Sequence, residues 1–153
     1  MNHPGLEPVS AQNLRQRGDD KARISATAQL SRHVLYIDDD EPLVWLVKFM
    51  LARLGYRVSG YTSASEALSA VRANPHDFDL AITDYSMPGM SGLDVANALR
   101  QIRADLPVVL VSACIMPEVR AQAPAAGVRE VIEKSATFDA LFDAVARLAG
   151  VSC

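Results

Sequence analysis

From His33 onward the sequence alternates five times between a short apolar run and a longer segment with helical spacing. The apolar runs fall at 33–37, 56–61, 79–83, 107–112 and 128–132, and the helical segments at 41–54, 63–73, 91–103, 117–125 and 136–149. Short apolar runs between polar breaks read as strands buried on both faces, and the longer segments as the crossovers that parallel pairing requires. The alternation predicts an α/β domain of five βα units, a parallel sheet covered on both faces with right-handed crossovers. Cap residues support the boundaries. Asp40 precedes Glu41-Pro42, with proline in a first-turn position. Ser63 and Glu66 suit a capping box before Ala67-Leu68. Gly55 and Gly127 each close a helix ahead of the next strand.

A chain of 153 residues, half of them apolar, can bury one good core. Its charge is unevenly shared. Residues 1–32 carry five Lys/Arg against three Asp/Glu, and residues 33–153 carry ten against fifteen. The folded part is therefore mildly acidic, which argues against a nucleic-acid surface. Apolar stretches of about 18 residues, the length of a membrane span, are missing. Met1-Asn2-His3-Pro4-Gly5 does not open a secretion signal, and Cys114 and Cys153 make neither a disulfide framework nor a metal spacing. The expected location is the cytoplasm. Residues 1–32 read as a tail or linker with a short helix within 20–30, residues 33–150 as the folded domain, and 151–153 as a C-terminal tail.

Aspartates follow two of the apolar runs. Asp38-Asp39 comes after Val34-Leu35-Tyr36-Ile37, and Asp84 after Leu80-Ala81-Ile82-Thr83. Carboxylates at the carboxyl ends of parallel strands gather where an open α/β sheet binds its ligands. Three close carboxylates cannot all stay ionised without a cation, so the site calls for a hard divalent metal such as Mg²⁺. That points to phosphoryl chemistry.

Four pieces in order make a more specific pattern: Val34 to Asp40; Asp84-Tyr85-Ser86-Met87-Pro88-Gly89-Met90-Ser91-Gly92; Pro107-Val108-Val109-Leu110-Val111-Ser112-Ala113; and Lys134 after the fifth strand. Over Val34–Gly150 the chain resembles the receiver domain of two-component response regulators. The resemblance implies a flavodoxin-like (βα)5 doubly wound sheet in the order 2-1-3-4-5, which brings Asp38, Asp39 and Asp84 into one pocket. It implies Asp84 as the nucleophile that becomes an acyl phosphate, a role suited to a carboxylate already ionised near neutral pH. Asp39, Asp84 and the Ser86 carbonyl would ligate Mg²⁺, with Asp38 acting largely through a bound water. Lys134 and the Ser112 hydroxyl would contact the phosphoryl oxygens. The implied donor is a phosphohistidine on a histidine kinase or histidine phosphotransfer protein. Phosphorylation adds about two negative charges, which would draw in Ser112 and Lys134 and bias the far face. The reading is a signalling receiver that catalyses its own phosphorylation and dephosphorylation, without separate substrate turnover.

Three departures fall on the switch side. Val131 occupies a position that is commonly aromatic in the family, Pro124 should shorten or kink the fourth helix, and Ser135 replaces the proline that usually follows the lysine. With the chain ending at Cys153, the expectation is a receiver without an output domain, either stand-alone or the terminal receiver of a hybrid kinase. Two other functions compete: a degenerate receiver that only binds protein, and an aspartate-nucleophile phosphatase. The phosphatase motif resembles D-x-D, and here Ser86 stands two residues after Asp84.

Plainer readings apply elsewhere. Asp38 to Glu41 could be a solvated acidic turn, and Asp40 suits a helix cap. Lys134 and Ser112 would be ordinary surface and strand-end residues outside this pattern, and Cys114 a small filler at the pocket mouth. His33, His76 and His3 lack the helical setting of a phosphohistidine. In the first helix, Leu46, Val47, Met50, Leu51 and Leu54 read as the core stripe. Val44, Trp45 and Phe49 then face away from it, either partly buried under residues 1–32, or as ordinary surface hydrophobics, or as a docking or homodimer face.

Overall fold

The computed structural model describes residues 32–134 and 138–149. The expected helix within 20–30, His3, Ser135 with its preceding peptide bond, and the 151–153 tail lie outside the described residues.

Five strands pair in parallel in the order 2-1-3-4-5: β1 (His33–Ile37), β2 (Arg57–Tyr61), β3 (Leu80–Asp84), β4 (Val108–Ser112) and β5 (Val128–Glu133). Between them run α1 (Glu41–Arg53), α2 (Ala64–Ala73), α3 (Gly92–Ile102), α4 (Pro117–Gln122) and, after β5, α5 (Phe138–Leu148). Side chains alternate across the sheet. Leu35, Ile37, Ala81, Val108 and Leu110 pack under α2, α3 and α4, while Val34, Tyr36, Leu80, Ile82, Val109 and Val111 pack under α1 and α5. The chain leaves β1 for β2 on one side and passes to β3 on the other, so a crevice opens at the carboxyl ends of β1 and β3. No helix among the described residues is long and apolar enough to cross a membrane.

Caps form largely as the sequence suggests. Asp40 accepts from the Leu43 amide at 3.3 Å, and Ser63 accepts from the Glu66 amide at 3.3 Å. The full reciprocal box sits at α3 instead, between Ser91 and Asp94. Gly55 and Gly127 adopt the left-handed conformation of helix ends.

Three expectations need correction. β3 runs through Asp84, so the carboxylate is the last strand residue, held in register beside Val111. The fourth helix, expected over 117–125, stops at Gln122, shortened as expected from Pro124: the proline, unable to donate to the helical ladder, begins a separate single turn of 3-10 helix, Pro124–Ala126. The phase of α1 also differs. Val44, Val47 and Leu51 are its buried residues, while Leu46 and Leu54 join Trp45 and Phe49 outside. Val44 is drawn inward by a close approach to β2: a Cβ placed on Gly60 would sit 2.5 Å from Val44 Cγ1.

A second close approach supports the crevice. A Cβ on Gly92 would lie 2.5 Å from the Asp84 carbonyl oxygen and 2.5 Å from Leu110 Cδ1, so α3 starts directly against the end of β3. Gly92→Ala is expected to cost about 1–3 kcal/mol through overpacking that only a backbone shift relieves. Urea denaturation would read this as a lower midpoint, and an unchanged midpoint would show that α3 can retreat freely.

Candidate functional site

Period-two alternation carries three polar side chains to one place. Asp38 follows Tyr36 by two residues, Asp84 follows Ile82, and Lys134 follows Ile132. Tyr36, Ile82 and Ile132 all belong to the core beneath α1 and α5. β1 and β3 pair through Ile37 and Thr83, and one further step of that register sets Asp38 beside Asp84. Carboxylate oxygens of Asp38, Asp39 and Asp84 all lie within 4.8 Å of one another. Lys134 Nζ sits 2.9 Å from Asp38 Oδ2 and 3.2 Å from Asp84 Oδ1. Asp38 is fully buried, Asp84 nearly so, and Asp39 is exposed.

Asp38 is held from three directions. Tyr36 Oη donates to its Oδ2 at 3.2 Å, the Asp40 amide donates to its Oδ1 at 3.0 Å, and Lys134 supplies the charge. The sequence marks Tyr36 only as a strand residue. Its place two residues before Asp38 on one strand face was the available signal. Burial, then the neighbouring Asp38 carboxylate, push the Tyr36 hydroxyl well above its ordinary pKa, so it remains a donor.

Asp84 also titrates above the ordinary carboxylate range. Burial is the main cause and repulsion from Asp38 the next, with Lys134 opposing both. Burial would lower the Lys134 pKa, but its hydrogen bond and charge contact with Asp38, and then the Asp84 charge, outweigh that and raise it. Three carboxylates against one ammonium leave two uncompensated negative charges. One divalent cation would balance them, and all-oxygen donors suit a hard ion. The residues therefore fit Mg²⁺.

Residues 34–146 match the family described as the response regulator receiver domain. The chain belongs to this receiver family. Among curated relatives it is 33% identical over 123 residues to the sensory/regulatory protein RpfC of Xanthomonas campestris, covering 78% of this chain and 17% of the relative. It is 43% identical over 81 residues to the two-component response regulator ORR27 of rice, Oryza sativa subsp. japonica, covering 52% of this chain and 13% of that one. The chain thus spans less than a fifth of either relative. Two solved structures cover nearly all of their own length. The response regulator TrrA of Thermotoga maritima, in complex with Mg²⁺ and BeF, aligns with a TM-score of 0.68 at 31% identity, covering 76% of this chain and 98% of that one. The non-phosphorylated HemR receiver domain of Leptospira biflexa aligns at 0.72 and 26% identity, covering 80% and 97%.

The other singled-out positions of the receiver divide. Ser112 is buried at the end of β4, but one residue out of phase with the aspartates, and its hydroxyl donates to the Cys114 carbonyl at 2.8 Å. Sequence spacing carries no sign of that engagement. Ser86 is exposed in the loop after β3, Val131 is half-buried against the α2/α3 side of the core, and Cys114 is exposed. His33 is buried at the far end of the sheet, its ring 2.7 Å from Ser59 Oγ and stacked on Phe78, which makes it a packing residue. His76 is exposed.

Proposed function

We propose that this receiver is a phosphoacceptor: it takes a phosphoryl group onto Asp84 from a phosphohistidine of a kinase or phosphotransfer partner and thereby switches its protein contacts. The observation that carries this reading is the cluster of Asp38, Asp39 and Asp84 around Lys134 at the carboxyl ends of β1 and β3. We assign the domain to residues 33–150 and its setting to the cytoplasm. Asp39, Asp84 and the Ser86 carbonyl would hold Mg²⁺, with Asp38 behind them. The bound ion would supply positive charge to the phosphoryl oxygens.

An Asp84 carboxylate oxygen attacks phosphorus, the P–N bond to the donor imidazole breaks, and the departing nitrogen takes a proton. Lys134 stays beside the new phosphoryl group and meets the charge on its oxygens. Ser112 donates to those oxygens once its hydroxyl turns from the Cys114 carbonyl, and this exchange couples Asp84 to the β4–α4 loop. Water later attacks the acyl phosphate and restores Asp84. No separate substrate is turned over. The much longer relatives suit a receiver that works as one part of a larger signalling assembly.

A phosphatase reading lacks its second acid, since Ser86 stands at that place. A binding-only reading leaves the Lys134 and aspartate cluster without a purpose. Intact mass after incubation with acetyl phosphate tests the proposal. The expected result is a single phosphate gained only with Mg²⁺ and absent in Asp84→Asn. No gain in mass, together with no change of Trp45 fluorescence on adding beryllofluoride and Mg²⁺, would leave only the binding module.

A further inference from the structure

Helix α1 turns an aromatic face outward. Trp45 is 65% exposed and Phe49 48%, with Leu46 at 36% on the edge of the face. The Trp45 and Phe49 rings stack at 5.5 Å with 7° between their planes, and the Arg53 guanidinium lies 5.9 Å from the Phe49 ring centre. Apolar groups gathered this way on one helix usually meet a partner.

The residues around the face say what the partner is. Glu41, Pro42, Trp45, Lys48 and Phe49 are all exposed. At 3.6 residues per turn, Glu41 and Lys48 stand two turns apart on one flank of the face, and Pro42 and Phe49 two turns apart on the other. Trp45 lies midway. Glu41 and Lys48 are too far apart along the helix to pair with each other, and neither has an ion-pair partner among the described residues. A second α1 running the other way supplies both partners at once. With two such helices antiparallel about a two-fold axis at Trp45, Glu41 of one copy meets Lys48 of the other, Pro42 meets Phe49, and the two indoles meet at the axis. The two-fold repeats each contact, as an isologous interface requires. Opposed helix dipoles favour the same direction. A face of one charge sign would call for an oppositely charged partner, whereas an acid and a base at this spacing complement their own copy.

We propose that α1 is a self-association face and that its occupant is a second copy of this chain, packed antiparallel about Trp45. One helix of 13 residues from each copy buries less than the about 1,200 Å² of a stable complex, so the dimer is weak and forms as concentration rises. The pairing uses no residue of the acidic crevice and therefore stands apart from the phosphoacceptor reading.

Sedimentation equilibrium of the full chain, without phosphodonor or Mg²⁺, reads the association directly. Trp45 is the only tryptophan of the chain, so its emission reports this face alone. Mass is expected to rise from monomer to dimer with concentration, while Trp45 emission moves to shorter wavelength and acrylamide quenching falls. Glu41→Lys leaves two lysines on the flank of each copy, and Lys48→Glu leaves two glutamates. Either change turns both charge contacts repulsive and should weaken association about tenfold, or roughly 1.4 kcal/mol over two exposed pairs. An equal mixture of the two variants should regain the wild-type affinity, because every lysine of one then faces a glutamate of the other. Far-ultraviolet circular dichroism checks that the variants fold, and the wild-type concentration series decides without them if they do not. A monomer at every concentration, or a dimer with unchanged Trp45 emission, would overturn the proposal. So would single variants that dimerise like wild type, or a mixture that associates no more tightly than its components.

Discussion

Asp84→Asn is expected to abolish phosphoryl uptake and, in metal-free protein at neutral pH, to raise thermal stability. The substitution keeps the shape and removes the charge. It relieves the burial of a carboxylate and its repulsion by Asp38, and it gives up the 3.2 Å ion pair with Lys134. The raised pKa of Asp84 says which side wins: the folded state disfavours the ionised form despite Lys134. A carboxylate titrating higher in the folded than in the unfolded chain favours folding most below its unfolded value, about 3.9. That contribution is lost as pH rises through the folded pKa. Wild type should therefore lose ground to the variant from about pH 4 upward. A gain on the order of 1 kcal/mol would read as roughly 4 °C in a domain of this size. Mg²⁺ should close the gap by stabilising wild type more than the variant, by about 2.7 kcal/mol at a hundred times its dissociation constant. Thermal melts from pH 4 to 8, with and without Mg²⁺, check all of this. A variant less stable than wild type throughout would mean that Lys134 outweighs Asp38 at Asp84.

The same alternation that defines the sheet made the site legible. Asp38, Asp84 and Lys134 each stand at a strand end in phase with a core residue, so finding the strands nearly finds the cluster. Strand order is another matter, because spacing alone does not choose neighbours; it came from the resemblance, and the observed pairing agrees. The phase of α1 was not legible. Val44, Trp45, Leu46, Val47, Phe49, Met50 and Leu51 are apolar nearly all the way round, so no stripe stands out. What turns Val44 inward is the missing side chain of Gly60 on a neighbouring strand, a contact that periodicity cannot see. The Ser112 hydroxyl was illegible for a similar reason: its partner is a backbone carbonyl two residues on, set by the shape of the turn.

Lys134→Met should have the opposite effect on stability and an effect of the same sign on chemistry. Methionine keeps the stem and deletes the ammonium, leaving Asp38 wholly buried without its cation. Stripping one partner from a buried ion pair costs about 3–5 kcal/mol. Here Tyr36 Oη and the Asp40 amide still donate to Asp38, so a loss of about 2–3 kcal/mol is expected. The raised Lys134 pKa places this contribution fully in force below the ordinary lysine range and removes it as pH climbs through the folded value. At neutral pH the whole effect is measurable by urea denaturation. Mg²⁺ should restore part of it, since the ion would supply positive charge to the same carboxylates. The initial rate of phosphoryl uptake from acetyl phosphate should fall by about 10²–10³, the usual cost of losing one group that meets developing charge. Repeating the substitution in the Asp84→Asn background separates the two partners. The stability loss should persist there, because Asp38 is both the closer and the more deeply buried of the two. A loss that vanished with Asp84 would reassign the lysine to the nucleophile alone and leave Asp38 held by Tyr36 and the backbone.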